Sequence, residues 1–362
     1  MDYRFGEKNL PANGHELSVL VKQYGEFYTQ EDFTGLDCQS GDYSGAVFGE
    51  INFDGCDFSN ANLLDTTFNK CSLRSAKFDK ANLKGSNFIG CDLSASKFHD
   101  TPMDFAKFIE GKMQGARFNA ASMETVAFHE CDLHKADFSK TRMLTTIFNS
   151  CQLGDAVFDG ARLEKVVVNE GQMGGNSFAG TAILLSCFTK ARLENVDFQG
   201  LDLSQSQFLE CEIIACNFNK AQLLQGGFMQ ANLTQSSFDG ARLEMANFYG
   251  ADLTSTSFIR ADLSKASMQS AKMTGANFSN AKMDMTQLAN ANVNLCVFSG
   301  ADLSYADMSH AVINESDFSN SNLNMAKMHE VLEADNIWTG ANKSMAQVTN
   351  EERKKAEQWG KK

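Results

Sequence analysis

Ten cysteines and six histidines are the side chains of this 362-residue chain best equipped for chemistry. Cysteine and histidine at close spacing bind zinc, and paired cysteines form disulfides. Each of these needs a local arrangement that is missing here. No C-x-x-C occurs, and His15, His99, His129 and His134 stand alone. The 45 acidic residues are spread throughout, so paired carboxylates say nothing about acid–base catalysis. What these residues share is a rhythm, and their roles follow from it.

Composition favours one aromatic residue: 29 Phe against 6 Tyr and 2 Trp, with only 2 Pro. One structural position therefore demands Phe repeatedly. Ala61-Asn62-Leu63, Ala81-Asn82-Leu83, Ala231-Asn232-Leu233 and Ala301-Asp302-Leu303 fall in one phase. Between them lie Cys56-Asp57-Phe58, Ala136-Asp137-Phe138 and Ala246-Asn247-Phe248. The unit is small, polar, large apolar, then two mostly polar residues. Its large position recurs from Phe33 to Met328 without an insertion, giving 60 units. Length alone would suggest two globular domains, but stacked repeats bury one core without domain breaks. A spacing of five drifts around an α-helix and does not match the alternation of a flat strand. It suits a short extended stretch and a tight turn, repeated about an axis so that each coil bonds to its neighbours.

This A(D/N)LXX pattern resembles the pentapeptide-repeat family over residues 33–330, about four fifths of the chain. The resemblance implies an all-β solenoid, a right-handed quadrilateral β-helix with four units per coil and about 15 coils. Units alternate Leu or Met with Phe (Leu63, Phe68, Leu73, Phe78, Leu83, Phe88), so two opposite sides stack Phe. Val168, Met268, Leu288 and Met308 interrupt that series. Each inward side chain is covered by neighbours twenty residues away, and burial with inter-coil hydrogen bonds supplies the stability. In this register Cys56, Cys71, Cys91, Cys131, Cys151, Cys211, Cys216 and Cys296 fill the small inward site. Cys38 takes the large inward site and only Cys187 points outward. Such cysteines act as small hydrophobes, so neither disulfides nor metal are expected. His310 and His329 approach one another on adjacent coils with no third ligand beside them, so no metal site or cofactor is implied. A dry core with smooth sides lacks the pocket that catalysis needs, and the chain is expected not to be an enzyme.

The ends depart from the phase. Residues 1–32 read as an N-terminal cap, 33–330 as the β-helix, and 331–362 as a C-terminal cap and helix. Leu17-Ser18-Val19-Leu20-Val21 reads as a strand over the first coil. Glu333 falls in the large inward slot, Trp338 is placed to plug the end of the core, and Ala341-Asn342-Lys343 is a degenerate last unit. Thr349-Asn350-Glu351-Glu352 reads as a capping box opening a helix through about Trp359. That helix blunts the open β edge, or pairs two copies through Val348, Ala356 and Trp359 as in some pentapeptide-repeat proteins.

The net charge of −13 disfavours direct nucleic-acid binding and anionic membranes. No secretory signal or long apolar run is visible, so a bacterial cytoplasmic protein is expected. Relatives such as the Qnr and MfpA proteins mimic DNA, binding DNA gyrase and protecting topoisomerase against fluoroquinolones. Mimicry needs one concentrated acidic face. Here acidic residues are nearly even over the four sides, and a candidate column of Glu110, Glu130, Glu170 and Glu210 is interrupted by Lys190. Another side presents Leu144, Leu184, Leu185, Leu224, Met245, Met285, Tyr305 and Met325 outward. A stripe of that kind marks a contact surface for a partner or a second copy. The expected function is a protein-binding scaffold or adaptor, with DNA mimicry as the alternative. Uninterrupted bacterial solenoids also resemble accessory proteins of type VI-like secretion, which implies a scaffolding role there.

Overall fold

Each five-residue unit becomes one side of a coil because its sequence builds a corner. The computed structural model describes residues 10–24 and 28–359. After Phe58 points inward, the Ala61 N–H donates to the Phe58 carbonyl at 3.0 Å, and Asn60 takes φ 58°. A left-handed residue at the third position is what a type II turn requires. Corner residues from Gln30 to Gly340 take φ of 50–74°. The polar residue before the large one closes the corner: Asp57 Oδ1 accepts the Ser59 N–H at 3.0 Å, and Asp252 does the same for Thr254. This is why the repeat selects Asp or Asn there. The small site admits hydroxyls because they reach a carbonyl of the preceding coil. Thr66 Oγ1 donates to the Tyr43 carbonyl at 2.9 Å and Ser86 Oγ to that of Leu63 at 2.8 Å.

Among the described residues all strand pairing is parallel with an offset of twenty residues. Thr67–Asn69 pairs with Asn87–Ile89, and Gln172–Gly174 with Arg192–Glu194. Twenty residues per turn at five per side makes a four-sided parallel β-solenoid. It is divided into two compact units, one ending at Ala161 and one beginning at Arg162, with about 15 turns between them. Every large inward residue from Phe33 to Met328 is buried, including Val168, Met268, Leu288 and Met308. In the first unit Phe68, Phe88, Phe108, Phe128 and Phe148 stack with centroids 4.9 Å apart at each step. In the second, Phe198 through Phe318 stack at 4.7–5.0 Å. Strand spacing dictates this interval, and the rings accept it as offset stacks.

The N-terminal expectation needs correction: Leu17 to Val21 belong to a helix, α1 (Gly14–Tyr24), and not to a strand. Asn13 Oδ1 accepts the Glu16 N–H at 2.9 Å, and Glu16 Oε2 accepts the Ala12 N–H at 2.7 Å. These bonds satisfy the free donors of a first helical turn. Leu17 and Val21, four apart, are both buried on one face. Gly14 lies so close to the first coil that an added Cβ would collide with the Asp37 carbonyl. Tyr43 Oη donates to the Gly14 carbonyl at 2.8 Å, and Ser18 Oγ exchanges hydrogen bonds with the Asp42 backbone. Coil pairing begins before Phe33, since Tyr28 and Thr29 pair with Phe48 and Gly49.

At the C-terminal end, Trp338 stacks on Phe318 with centroids 4.4 Å apart, and the Lys343 ammonium sits over its indole at 4.1 Å. Glu333 pairs in register with Ile313 yet is exposed, held by Lys343 at 2.6 Å. The last helix, α2 (Glu351–Gln358), is capped by Asn350, not by Thr349. Asn350 Oδ1 accepts the Arg353 N–H, whereas Thr349 Oγ1 accepts the Glu330 N–H at 3.2 Å and so ties the chain to the coil. Among the described residues no helix is long and apolar enough to cross a membrane.

Candidate partner-binding surface

Corner residues project from the solenoid and fill nothing inside it. In the second unit Leu185, Met245, Met285, Tyr305 and Met325 occupy corners of one side, at φ of 52–59° and 41–50% exposed. Leu224 is exposed one position earlier in its unit, and Leu184 is half-buried. The row is interrupted along its length: Gln205 and Gln225 separate Leu185 from Met245, and Lys265 separates Met245 from Met285. It is continuous over the three successive coils of Met285, Tyr305 and Met325. The Met325 N–H donates to the Met345 carbonyl at 3.0 Å, which adds Met345, 55% exposed, to that row. Sequence reading missed Met345 because the phase has decayed there. Leu144 belongs to the first unit and is half-buried. At the C-terminal end Ala356, Val348 and Trp359 are exposed, the last at 91%.

The acidic column does not form an unopposed face. Glu110 and Glu130 are exposed corners of the first unit, and Glu130 lies 3.1 Å from His129. In the second unit Lys190 stands at the corner between Glu170 and Glu210 and approaches Glu210 at 4.0 Å. Elsewhere a basic residue twenty positions on opposes the carboxylate below it. The pairs are Arg74–Asp54, Lys77–Asp57, Lys272–Asp252, Lys282–Asp262 and Lys327–Asp307 at 2.5–3.5 Å. Burial acts to raise the Asp252 carboxyl, but the Thr254 hydroxyl and amide and the Lys272 ammonium outweigh it and hold it below the usual range.

Nine of the ten thiols are buried and unbridged, and Cys187 is half-buried. Burial pushes the Cys38, Cys211 and Cys296 thiols up to about 12, which keeps them protonated and unreactive. The sides are not uniformly smooth: a groove is lined by Asn176, Phe178, Gly180, Asp197 and Leu201, where Asp197 is the one ionisable group. The histidine expectation is corrected. His310 and His329 do meet, and α2 places Glu357 between them as a third ligand-type group.

The sequence matches the pentapeptide repeat region over residues 28–98, 81–158 and 186–268, and pentapeptide repeats (8 copies) over 256–294, 281–320 and 296–331. No curated protein matches it. Among solved structures it is similar to QnrB1, a plasmid-mediated fluoroquinolone resistance protein, at 18% identity and TM-score 0.40, over 55% of this chain and 97% of that one. It is similar to a pentapeptide-repeat protein of the Arabidopsis thaliana thylakoid lumen at 25% identity and TM-score 0.24, over 30% and 74%. It is also similar to HetL of the cyanobacterium Nostoc sp. strain PCC 7120, involved in heterocyst differentiation regulation, at 20% identity and TM-score 0.14, over 72% and 86%. With repeat matches over more than half its length and five-residue corners throughout, the chain belongs to the pentapeptide-repeat family.

Proposed function

We propose that this chain is a non-enzymatic protein-binding scaffold whose second unit engages a partner through Met285, Tyr305 and Met325. The observation that supports this most is their placement: three successive coils each expose a large apolar side chain at a corner that buries nothing. Water-exposed apolar rows favour association, and a few such anchors carry most of an interface. DNA mimicry would need acids that are free to meet a basic saddle, and here Asp54, Asp57, Asp252 and Asp262 each face an arginine or lysine one coil away.

Affinity capture from the native host, with wild type against the M285S/Y305S/M325S chain, tests the reading. A protein retained by the first and lost by the second is the expected result. Equal capture by both overturns the surface. A gyrase supercoiling assay with and without fluoroquinolone is expected to show no effect, and protection at micromolar concentration would put DNA mimicry in its place. Components of a type VI-like secretion apparatus are one class of partner that the capture would reveal.

A further inference from the structure

Two imidazoles and a carboxylate converge at the last coils, on groups that come from three separate places in the chain. His310 is a corner residue at φ 61°, and His329 is buried one coil further on. Their rings meet edge to face with centroids 5.2 Å apart. Nε2 of each lies 3.3 Å from the same oxygen, Oε2 of Glu357, which α2 carries over the coils. We propose that His310, His329 and Glu357 form a divalent-cation site of the zinc class that fixes α2 to the end of the solenoid.

The two nitrogen–oxygen distances fit a tetrahedral ion. Bonds of about 2.0–2.1 Å place the ligand atoms of tetrahedral zinc about 3.3–3.4 Å apart, so both nitrogen–oxygen separations need little change. Two imidazoles with one carboxylate are a recurrent zinc set, in which water takes the fourth position. His310 and Glu357 are each about one-third exposed, which leaves that position open to solvent. Nitrogen donors also select against magnesium and calcium, which take oxygen. The surroundings orient the ligands. Arg353 Nε holds the other Glu357 oxygen at 2.7 Å, so Oε2 faces the imidazoles. Lys354, the other nearby cation, is taken up by Glu330 at 2.8 Å.

Proton positions set the strength. His329 Nδ1 accepts the Asn350 N–H at 3.0 Å, so without a cation its Nε2 carries the proton and donates it to Glu357. A cation at Nε2 displaces that proton and moves it to Nδ1, where it opposes the Asn350 backbone N–H, so the start of α2 must shift to part the two donors. Losing that bond and leaving buried donors unpaired weakens binding roughly ten- to hundredfold, so affinity in the micromolar range is expected and not the nanomolar range of cysteine sites.

Zinc chloride titrated into the full chain against a chromophoric chelator tests the site. One ion per chain is expected, with Kd on the order of 1 μM, and amide exchange in α2 should slow when zinc is added. Cobalt should give the intense visible bands of a four-coordinate ion. His310→Ala and Glu357→Gln should each weaken zinc at least tenfold, while His99→Ala leaves it unchanged. His310 and Glu357 are partly exposed, so both variants should keep the thermal transition of the zinc-free chain. Absence of saturable zinc binding below 100 μM, or binding that survives both substitutions, would falsify the site. Magnesium binding as tight as zinc would overturn it equally.

Discussion

An aspartate at the second position of a unit does three things at once. Asp252 accepts the Thr254 N–H, accepts the Thr254 hydroxyl, and faces the Lys272 ammonium at 2.9 Å. Asp57 and Asp262 have equivalent partners, and for each burial raises the carboxyl while hydrogen bonds and a neighbouring lysine lower it more, leaving it below its usual range. A folded value below the unfolded one means that the stabilisation is complete above the unfolded pKa of about 4 and disappears as pH falls through the folded value. The melting temperature should therefore be nearly flat from about pH 7 to 5 and drop steeply below about pH 4. A transition that stays constant to strongly acid pH would contradict this. The Cys56, Cys211, Cys216 and Cys296 thiols at the small inward site behave oppositely, as burial raises them and keeps them neutral. Native labelling at mildly alkaline pH should modify Cys187 quickly and the other nine only after unfolding. Rapid modification of several thiols would show that the column is not closed.

At the scale of elements, the repeat could be read in advance because one side-chain choice and one backbone event coincide every five residues. Phe58 and Leu63 mark the inward slots, and Asp57 and Asn62 mark the corners, so sequence alone gives the register. The ends lack that redundancy. Leu17-Ser18-Val19-Leu20-Val21 is locally strand-like, and the signals that make it α1 are the Asn13–Glu16 cap and the burial of Leu17 with Val21. Glu357 could not be associated with His310 and His329, because it lies outside the phase and reaches them only through the docking of α2. The helix assignment makes a prediction of its own. Leu17→Ala should cost roughly 3 kcal/mol through the cavity it leaves, and Asn13→Ala about 1 kcal/mol through the lost cap. Both losses should appear first as faster amide exchange at Tyr43, Gly45 and Ala46 in the coil beneath α1. Exchange that quickens there no more than at Phe118 would mean that α1 does not cover the first coil.

For the molecule as a whole, stacking makes stability local, since each coil is held by the coils above and below it. Inward and outward residues of one unit therefore answer to different demands, and the second unit allows them to be separated. Leu243 is fully buried, whereas Met245, two residues on, is 47% exposed at the corner. Phe218 is stacked between Phe198 and Phe238 at 4.9 and 4.7 Å. Phe218→Ala or Leu243→Ser should destabilise neighbouring coils by roughly 3–5 kcal/mol, because the cavity lies in a close-packed column. Met285→Ser, Tyr305→Ser and Met325→Ser together should leave the thermal transition within a few degrees of wild type, since surface changes are usually worth less than about 0.5 kcal/mol each. The same triple variant should lose association with its partner, because burying even one such side chain in an interface is worth roughly 1.5–3 kcal/mol. Calorimetry on the core and corner variants, paired with binding to the captured partner, separates the two demands. If the corner variant melts as early as the core variants, those side chains are part of the fold, and the binding surface must be sought on another side.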